Sequence, residues 1–205
     1  MKRQQIVSLA VTSVIVLSVA FAKAAVKANR SKAPVSQGQV AQVLNSKSAE
    51  TVLASSTGKT EVRLAQGWAN ALTPEAAQKF EMKAKKPIHS LHLSVNAKTR
   101  KSLLGMTLEQ FAKVPVEGLK TTIKNAQVER TSTTKVNGKS AVQYKVQGVG
   151  LGDVDLTMLT TVVETPNSYY TILAGGPTKT FAQHQAELQQ AIQSFRELQS
   201  TAQAR

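Results

Sequence analysis

The sequence contains no cysteine, and aromatic residues make up only 4% of its 205 positions. Without cysteine the chain cannot form a disulfide framework, a thiolate metal cage or a cysteine-linked lipid anchor. The single tryptophan, Trp68, follows a glycine, and such a residue is more often a core anchor than a ligand platform. We therefore expect a core of aliphatic side chains with Trp68 packed into it.

Acidic residues are also few. The chain has 12 aspartates and glutamates against 26 lysines and arginines, a formal net charge of +14. This balance favours contact with an anionic lipid, a nucleic acid or an acidic protein face. Because nucleic-acid binding also needs aromatic side chains interleaved with the basic ones, and the basic clusters contain only Phe80, we expect no nucleic-acid partner.

No phosphate-binding motif is complete. Gly138-Lys139-Ser140 resembles the end of a phosphate-binding loop, but Thr133 stands where that motif needs glycine, and a strand is predicted where it needs a helix. The glycine-rich segment 148–153 lacks the spacing of a dinucleotide fingerprint and lies between two predicted strands. Both segments are predicted to be turns.

The histidines and carboxylates do not form a recognisable site either. His89 and His92 are an odd number of positions apart, so on a strand they point to opposite faces and cannot share a metal. We expect His184 to face solvent or the edge of the last helix. Asp153 and Asp155 fit turn chemistry better than a cation site. The sequence therefore predicts no enzyme, no cofactor and no metal.

The N-terminus has the pattern of an export signal. Lys2 and Arg3 precede an apolar run from Ile6 to Ala22, which ends in small residues suited to signal peptidase. Residues 1–22 are therefore predicted to be a signal peptide, with an uncleaved N-terminal anchor as the alternative. The predicted location is extracytoplasmic: the periplasm, or the thylakoid lumen if the source is photosynthetic.

Residues 23–58 are predicted to be a flexible basic linker, because they are rich in Ala, Ser, Lys and Gln and poor in large apolar groups. Within the linker, Val52 and Leu53 are among the residues that could form a short, marginal helix. A single folded domain over 59–200 and a tail of 201–205 complete the predicted organisation.

Several elements of the domain can be predicted from local patterns. Thr73 and Pro74 favour the start of a short helix, and Thr107 with Gln110 fits a capping box. The helix after Thr107 is interrupted by Pro115, where we expect a kink or two shorter helices. Other predicted segments are strands at 62–64, 80–85 and 88–95 and a last helix from Thr180 to Gln199.

The strongest local signal is a hairpin at Asn137-Gly138, a pair suited to a type I′ turn between strands at 128–136 and 142–146. The segments 154–163 and 169–174 that follow are apolar on both faces, which calls for cover on both sides. The predicted fold is α+β: an α-β-α sandwich, with an antiparallel β-sheet flanked by helices.

Basic residues gather in two clusters, at 79–86 and 98–101. Lys83 and Lys85 would share one face of a strand and form a basic edge. A solvated surface and contact with an acidic protein or lipid surface are the two interpretations. The candidate partner-binding residues are Lys79, Lys83, Lys85, Lys86, Lys98, Arg100 and Lys101.

Residues 60–199 resemble the PsbP-like and DcrB-like domains, and cyanobacterial PsbP-related sequences in particular. The resemblance implies an α-β-α sandwich and a non-enzymatic role in binding or assembling membrane complexes. No metal-site or photosystem-docking motif can be carried over residue by residue. The residues that carry the resemblance are Gly67-Trp68, the helix from Thr107, Val136 to Ala141, Val163 to Pro166, Tyr169-Tyr170, Phe181, Glu187-Leu188 and Ala191 to Arg196.

The leading functional hypothesis is an exported, monomeric accessory protein that binds a membrane-associated complex. A second hypothesis is an enzyme or small-ligand binder whose pocket gathers Tyr169, Tyr170, His89 and Asp153. A third is association with anionic lipid through the linker and the basic clusters.

Overall fold

The computed structural model describes residues 50–55 and 57–198. The predicted signal peptide, most of the predicted linker and the predicted tail lie outside these residues. The described strands are β1 Thr51–Ala54, β2 Thr60–Leu64, β3 Ala69–Asn70, β4 Met82–Lys86, β5 Leu91–Thr99, β6 Lys124–Arg130, β7 Lys135–Val136, β8 Lys139–Val149, β9 Asp155–Glu164, β10 Ser168–Pro177 and β11 Arg196–Glu197. The α-helices are α1 Pro74–Ala77, α2 Leu108–Lys120 and α3 Thr178–Gln193, with 3-10 turns at Pro87–His89 and Arg100–Leu103.

The strands form two antiparallel sheets. The main sheet has the order β3-β4-β5-β10-β9-β8-β6, and β7 also pairs with β8. The smaller sheet has the order β1-β2-β11. In the main sheet β10 pairs with both β5 and β9, so this late strand lies at the centre.

Helices cover opposite faces of the main sheet. On one face Leu188 of α3 packs in a cluster with strand residues such as Leu93 and Val163. On the other face Phe111 of α2 packs with Val142, Val162 and Tyr169. Side chains alternate between faces along a strand, so the apolar content of both faces of β9 and β10 requires both helices. The predicted α-β-α sandwich is confirmed.

The two strongest local predictions hold. Asn137 and Gly138 have φ values of 45° and 76° between β7 and β8, as a type I′ turn requires. Thr107 accepts a hydrogen bond from the Gln110 amide, while the Gln110 side chain accepts one from the Thr107 amide. The helix that this capping box starts continues through Pro115 without interruption, so the alternative of two shorter helices is wrong.

Two predicted strands are interrupted: residues 88–89 lie in a 3-10 turn before β5, and the segment 128–136 is divided into β6 and β7. Two further segments differ because of long-range pairing. Val52 and Leu53 lie in strand β1, paired with β2, whereas the sequence pattern placed them in a linker with marginal helical tendency. Helix α3 ends at Gln193 instead of Gln199. Phe195 then enters the core, and the next two residues pair with β2 as strand β11. In both cases pairing with a strand distant in sequence overrides a weak local preference.

In residues 50–55 and 57–198, no helix has both the length and the apolar character to cross a membrane.

Candidate functional site

One face of β4 and β5 concentrates the basic residues. In the sheet register Lys83 lies opposite Ser94, and Lys85 lies opposite His92. The alternate residues of β5, including Leu93, belong to the core beneath α3. Lys83, Lys85, His92 and Lys98 therefore project from the other face, the side of the sheet on which α2 lies. We call these four residues the basic face.

Helix α2 does not cover the basic face. Its packing partners are β6, β8, β9 and β10, at the other end of the strand order from β4. Lys85, His92 and Lys98 are exposed, and Lys83 is half-buried. Within the described residues none of the three lysines forms an ion pair, so their charges are available to an external group.

The charges of this face act on its histidine. The pKa of His92 is lowered first because neighbouring side chains shield part of its ring from water, although the residue as a whole is exposed, and then by the positive charges of Lys83 and Lys85. The His92 ring is therefore a reporter of positive potential at this surface. Beside it, the Nζ of Lys83 lies 5.4 Å from the centre of the Phe80 ring, which provides a small apolar contact next to the cations.

Lys86 belongs to a different environment. It projects toward α3, where its Nζ lies 2.8 Å from each carboxylate oxygen of Glu187. Trp68 Nε1 donates to the same carboxylate at 2.6 Å, and the indole is buried, which confirms its predicted place in the core. Burial raises the pKa of Glu187, but hydrogen bonds from Lys86, Trp68 and His184 outweigh that effect and leave it lowered.

The remaining predicted basic residues are dispersed. Arg100 forms an ion pair with Glu164 at 3.1 Å and lies over the ring of Tyr169 at 5.4 Å. Lys79 and Lys101 are exposed. Of the seven predicted residues, the structure gathers Lys83, Lys85 and Lys98 on one face and directs Lys86 to the opposite side. His92 completes the group, although the sequence pattern did not include it.

A cleft of about 470 Å³ lies next to Arg100, between the start of α2 and the end of β9. At its floor the Tyr169 hydroxyl donates to the Met106 carbonyl at 2.9 Å. Burial and the nearby Glu164 carboxylate raise the pKa of this phenol, against the opposing effect of Arg100. The charged groups that line the cleft already have partners, because Arg100 pairs with Glu164 and Glu109 pairs with Arg130.

The pocket expected from dispersed residues does not form. Tyr169 lies on the α2 side of the sheet, whereas Tyr170 packs on the α3 side and donates to Glu197 at 2.8 Å. Asp153 lies in the β8–β9 turn and forms an exposed ion pair with Lys124. Consecutive strand residues face opposite sides of a sheet, so Tyr169 and Tyr170 cannot line one pocket.

The structure brings together two histidines that the sequence pattern treated separately. The rings of His89 and His184 lie 4.3 Å apart between centroids. His184 Nδ1 is 3.0 Å from Glu187 Oε2, and its side chain is 19% exposed. His184 therefore lies at the edge of the helix, which is one of the two expected placements, and does not face open solvent. Within the described residues no group of three or more His, Asp or Glu side chains is arranged to hold a metal.

No known family model matches the sequence, and no curated protein matches it. Solved structures are similar at the level of the fold. The chain is similar to the solution structure of cyanobacterial PsbP from Synechocystis sp. PCC 6803, with 14% identity, a TM-score of 0.50, and coverage of 80% of this chain and 98% of that one.

A second similar structure is the Ran-binding protein Mog1p of Saccharomyces cerevisiae, with 10% identity, a TM-score of 0.50, and coverage of 76% of this chain and 98% of that one. At these identities the likeness concerns the fold and not the activity. The chain therefore has a PsbP-like α+β fold: an antiparallel sheet with helices on both faces.

Proposed function

We propose that this chain is an exported, non-enzymatic accessory protein that binds an acidic surface of a membrane-associated protein complex through the basic face. The observation that carries the proposal is that, among residues 50–55 and 57–198, three lysines lie without ion-pair partners on a part of the sheet that no helix covers. Fields from such a group of like charges steer an acidic partner into place.

The basic face differs from an ordinary charged surface in its geometry. β4 and β5 are hydrogen-bonded neighbours, so their side chains stand on a rigid platform about 5 Å apart across the strands. Ser94 and Asn96 lie between His92 and Lys98 along β5 and add hydrogen-bonding groups. A row of cations with neutral polar groups between them suits an extended acidic segment of a protein.

The location at an envelope or thylakoid membrane is part of the proposal. It rests on the signal-like pattern of residues 1–22. The fold adds support, because the similar cyanobacterial PsbP shares the sandwich architecture. Whether the complex is a photosystem depends on a photosynthetic source.

The test is a charge-reversal series with a matched control. The variant Lys83→Glu/Lys85→Glu/Lys98→Glu is compared with Lys113→Glu/Lys139→Glu/Lys179→Glu, which changes the net charge equally at exposed positions elsewhere. A photo-crosslinker at Asn96 identifies the partner segment by mass spectrometry. We expect acidic segments to be captured at low salt, loss of capture in the first variant and retention in the second.

High salt should also release the partner, because exposed charges are screened over about 10 Å at 0.1 M ionic strength. Equal behaviour of the two variants would contradict a role for the basic face. Flotation with vesicles of phosphatidylglycerol tests whether the basic face binds lipid instead of protein. If the basic-face variant loses vesicle binding while no protein segment is captured, the partner is lipid and the proposal fails.

A further inference from the structure

The cleft next to Arg100 lies at one end of the basic face. Lys98 lies directly opposite Tyr169 in the register of β5 and β10, and Tyr169 lines the cleft. Opposed residues of neighbouring antiparallel strands have Cβ atoms about 5 Å apart on the same face of the sheet. Arg100, two residues after Lys98, also lines the cleft. A segment bound along the basic face therefore reaches the cleft directly after Lys98.

The basic face is long enough for a short extended segment. From His92 to Lys98, β5 advances about 20 Å at roughly 3.4 Å per residue, and Lys85 lies opposite His92. An extended peptide of about seven residues covers this distance. Its acidic side chains would lie beside the lysines, and the next residue would lie at the mouth of the cleft.

The charges inside the cleft favour an uncharged occupant. Two carboxylates line it, those of Glu109 and Glu164, and each is paired with an arginine. A further carboxylate would be repelled by these two acids, while a cation would find both of them already compensated. The volume of about 470 Å³ lies within the range of pockets that bind organic groups. The cleft therefore suits a large neutral side chain.

Groups in and beside the cleft favour an aromatic ring in particular. The Arg100 side chain is 42% exposed and lies over the ring of Tyr169, and a planar guanidinium stacks well on aromatic faces. Met106 also lines the cleft, and thioethers make favourable contacts with aromatic rings. Leu104, next to Gly105 of the lining, is 83% exposed although its φ of 49° is unfavourable for a bulky residue. The rim of the cleft therefore presents an apolar group that the fold itself does not bury.

We propose that this cleft is the binding subsite for an aromatic side chain of the acidic protein segment that the basic face binds. The assignment rests on the proposed function and adds a sequence signature for the partner: an extended run of acidic residues with an aromatic residue at one end. The lysines steer and orient the segment, since exposed charges contribute more to association rate and specificity than to affinity. The buried aromatic ring supplies the affinity, as such rings do at the centres of many interfaces.

The test uses the full-length chain and fluorescently labelled synthetic peptides. Each peptide is a run of glutamates with one phenylalanine or one alanine at either end, and binding is measured by fluorescence anisotropy at low salt. We expect at least one phenylalanine peptide to have a Kd about 10-fold lower than its alanine counterpart, because its ring is removed from water. Equal Kd values for phenylalanine and alanine peptides would overturn the proposal.

Two variants locate the ring. Arg100→Lys keeps the positive charge but loses the planar guanidinium, and Leu104→Asn replaces an exposed leucine by a residue that adopts positive φ more readily. Each should reduce the preference for phenylalanine to about 3-fold and leave the Kd of the alanine peptide unchanged. The controls are Arg130→Lys, which pairs with Glu109 but does not line the cleft, and Leu151→Asn, in the β8–β9 turn at the other end of the sheet. A full preference in both cleft variants would show that the ring binds elsewhere.

Photo-crosslinking gives an independent measurement of the position of the ring. With benzoylphenylalanine in place of phenylalanine, we expect attachment to the tryptic fragment 102–113, which contains Met106 and Leu108. Attachment only to fragments that contribute no residue to the cleft would overturn the proposal. Circular dichroism checks that each variant is folded.

The outcomes also separate this subsite from the basic face. If phenylalanine and alanine peptides bind equally, and both lose binding in Lys83→Glu/Lys85→Glu/Lys98→Glu, the basic face is supported and the aromatic subsite is overturned. If the phenylalanine peptide keeps its affinity and its crosslink in that variant, the cleft binds the ring and the basic face has no part in docking.

Discussion

Replacing Glu187 by alanine should destabilise the fold more than the loss of an ordinary surface ion pair. The Glu187→Ala change removes the partner of Lys86, whose side chain is only 12% exposed, and of the buried Trp68 N–H. Removing one member of a fully buried pair costs about 3–5 kcal/mol, and an exposed pair contributes about 0–1 kcal/mol. Since Glu187 is 20% exposed, we expect an intermediate loss of roughly 2–3 kcal/mol.

The assay is urea unfolding of the full-length chain followed by circular dichroism. In a thermal melt, the same fall in unfolding free energy should lower the melting temperature of Glu187→Ala by about 5–10 °C, since a chain of this size loses roughly 2–4 °C per kcal/mol. Glu117→Ala is the matched control, because Glu117 also pairs with a lysine on a helix but is 66% exposed. The control should lose at most about 0.5 kcal/mol.

The pH dependence of this effect has a definite sign. The pKa of Glu187 is lower in the folded chain than its ordinary value of 4.5. Its contribution to stability is therefore complete above that value and is lost as the pH falls through the folded pKa. The difference between wild type and Glu187→Gln should shrink below about pH 4. Two results would refute the reasoning. One is a stability difference between wild type and Glu187→Gln that stays constant at lower pH. The other is a loss of stability in Glu187→Ala at neutral pH that is no larger than the loss in Glu117→Ala.

Three further predictions concern separate parts of the molecule. In Gly175→Ala the new Cβ would lie 2.2 Å from the Thr157 carbonyl oxygen. We therefore expect the free energy of unfolding, measured in urea, to fall by about 3 kcal/mol or more. The control Gly152→Ala, in a turn with open space around it, should lower it by about 1 kcal/mol. Burial and the Glu197 carboxylate raise the pKa of Tyr170, so the free energy of unfolding should fall as the pH rises above about 10. This fall should be less steep in Tyr170→Phe, and equal pH dependence in the two proteins would contradict the prediction. Lys85→Ala should raise the pKa of His92 in an NMR titration, because it removes a neighbouring positive charge; Lys179→Ala is the control, and an unchanged value in Lys85→Ala would count against the basic face.

Local patterns were sufficient wherever a short stretch determines its own geometry. Asn137-Gly138 needs positive φ values in any context, and Thr107 with Gln110 satisfies helix amides within four residues. The apolar residues on both faces of β9 likewise predicted cover on both sides, because such side chains are stable only when they are shielded from water. The sandwich therefore followed from the sequence.

The location of the functional groups did not follow from local patterns. Lys83, Lys85 and Lys86 are near neighbours in sequence, yet the strand places Lys86 on the opposite face, where it pairs with Glu187 about a hundred residues later. His92 joined the basic face only through the pairing of β4 with β5. Strand alternation could be predicted, but which helix or strand would meet each face could not.

Composition and short-range pattern thus determined the absence of thiol chemistry, the basic charge and the α+β class, since these depend on residue type and nearest neighbours. Only the tertiary structure decided which lysines remain unpaired and which histidines meet. His89 and His92 are three residues apart and separate onto different surfaces, while His89 and His184 come into contact. Such contacts depend on strand order and helix placement, which the packing of the whole core determines.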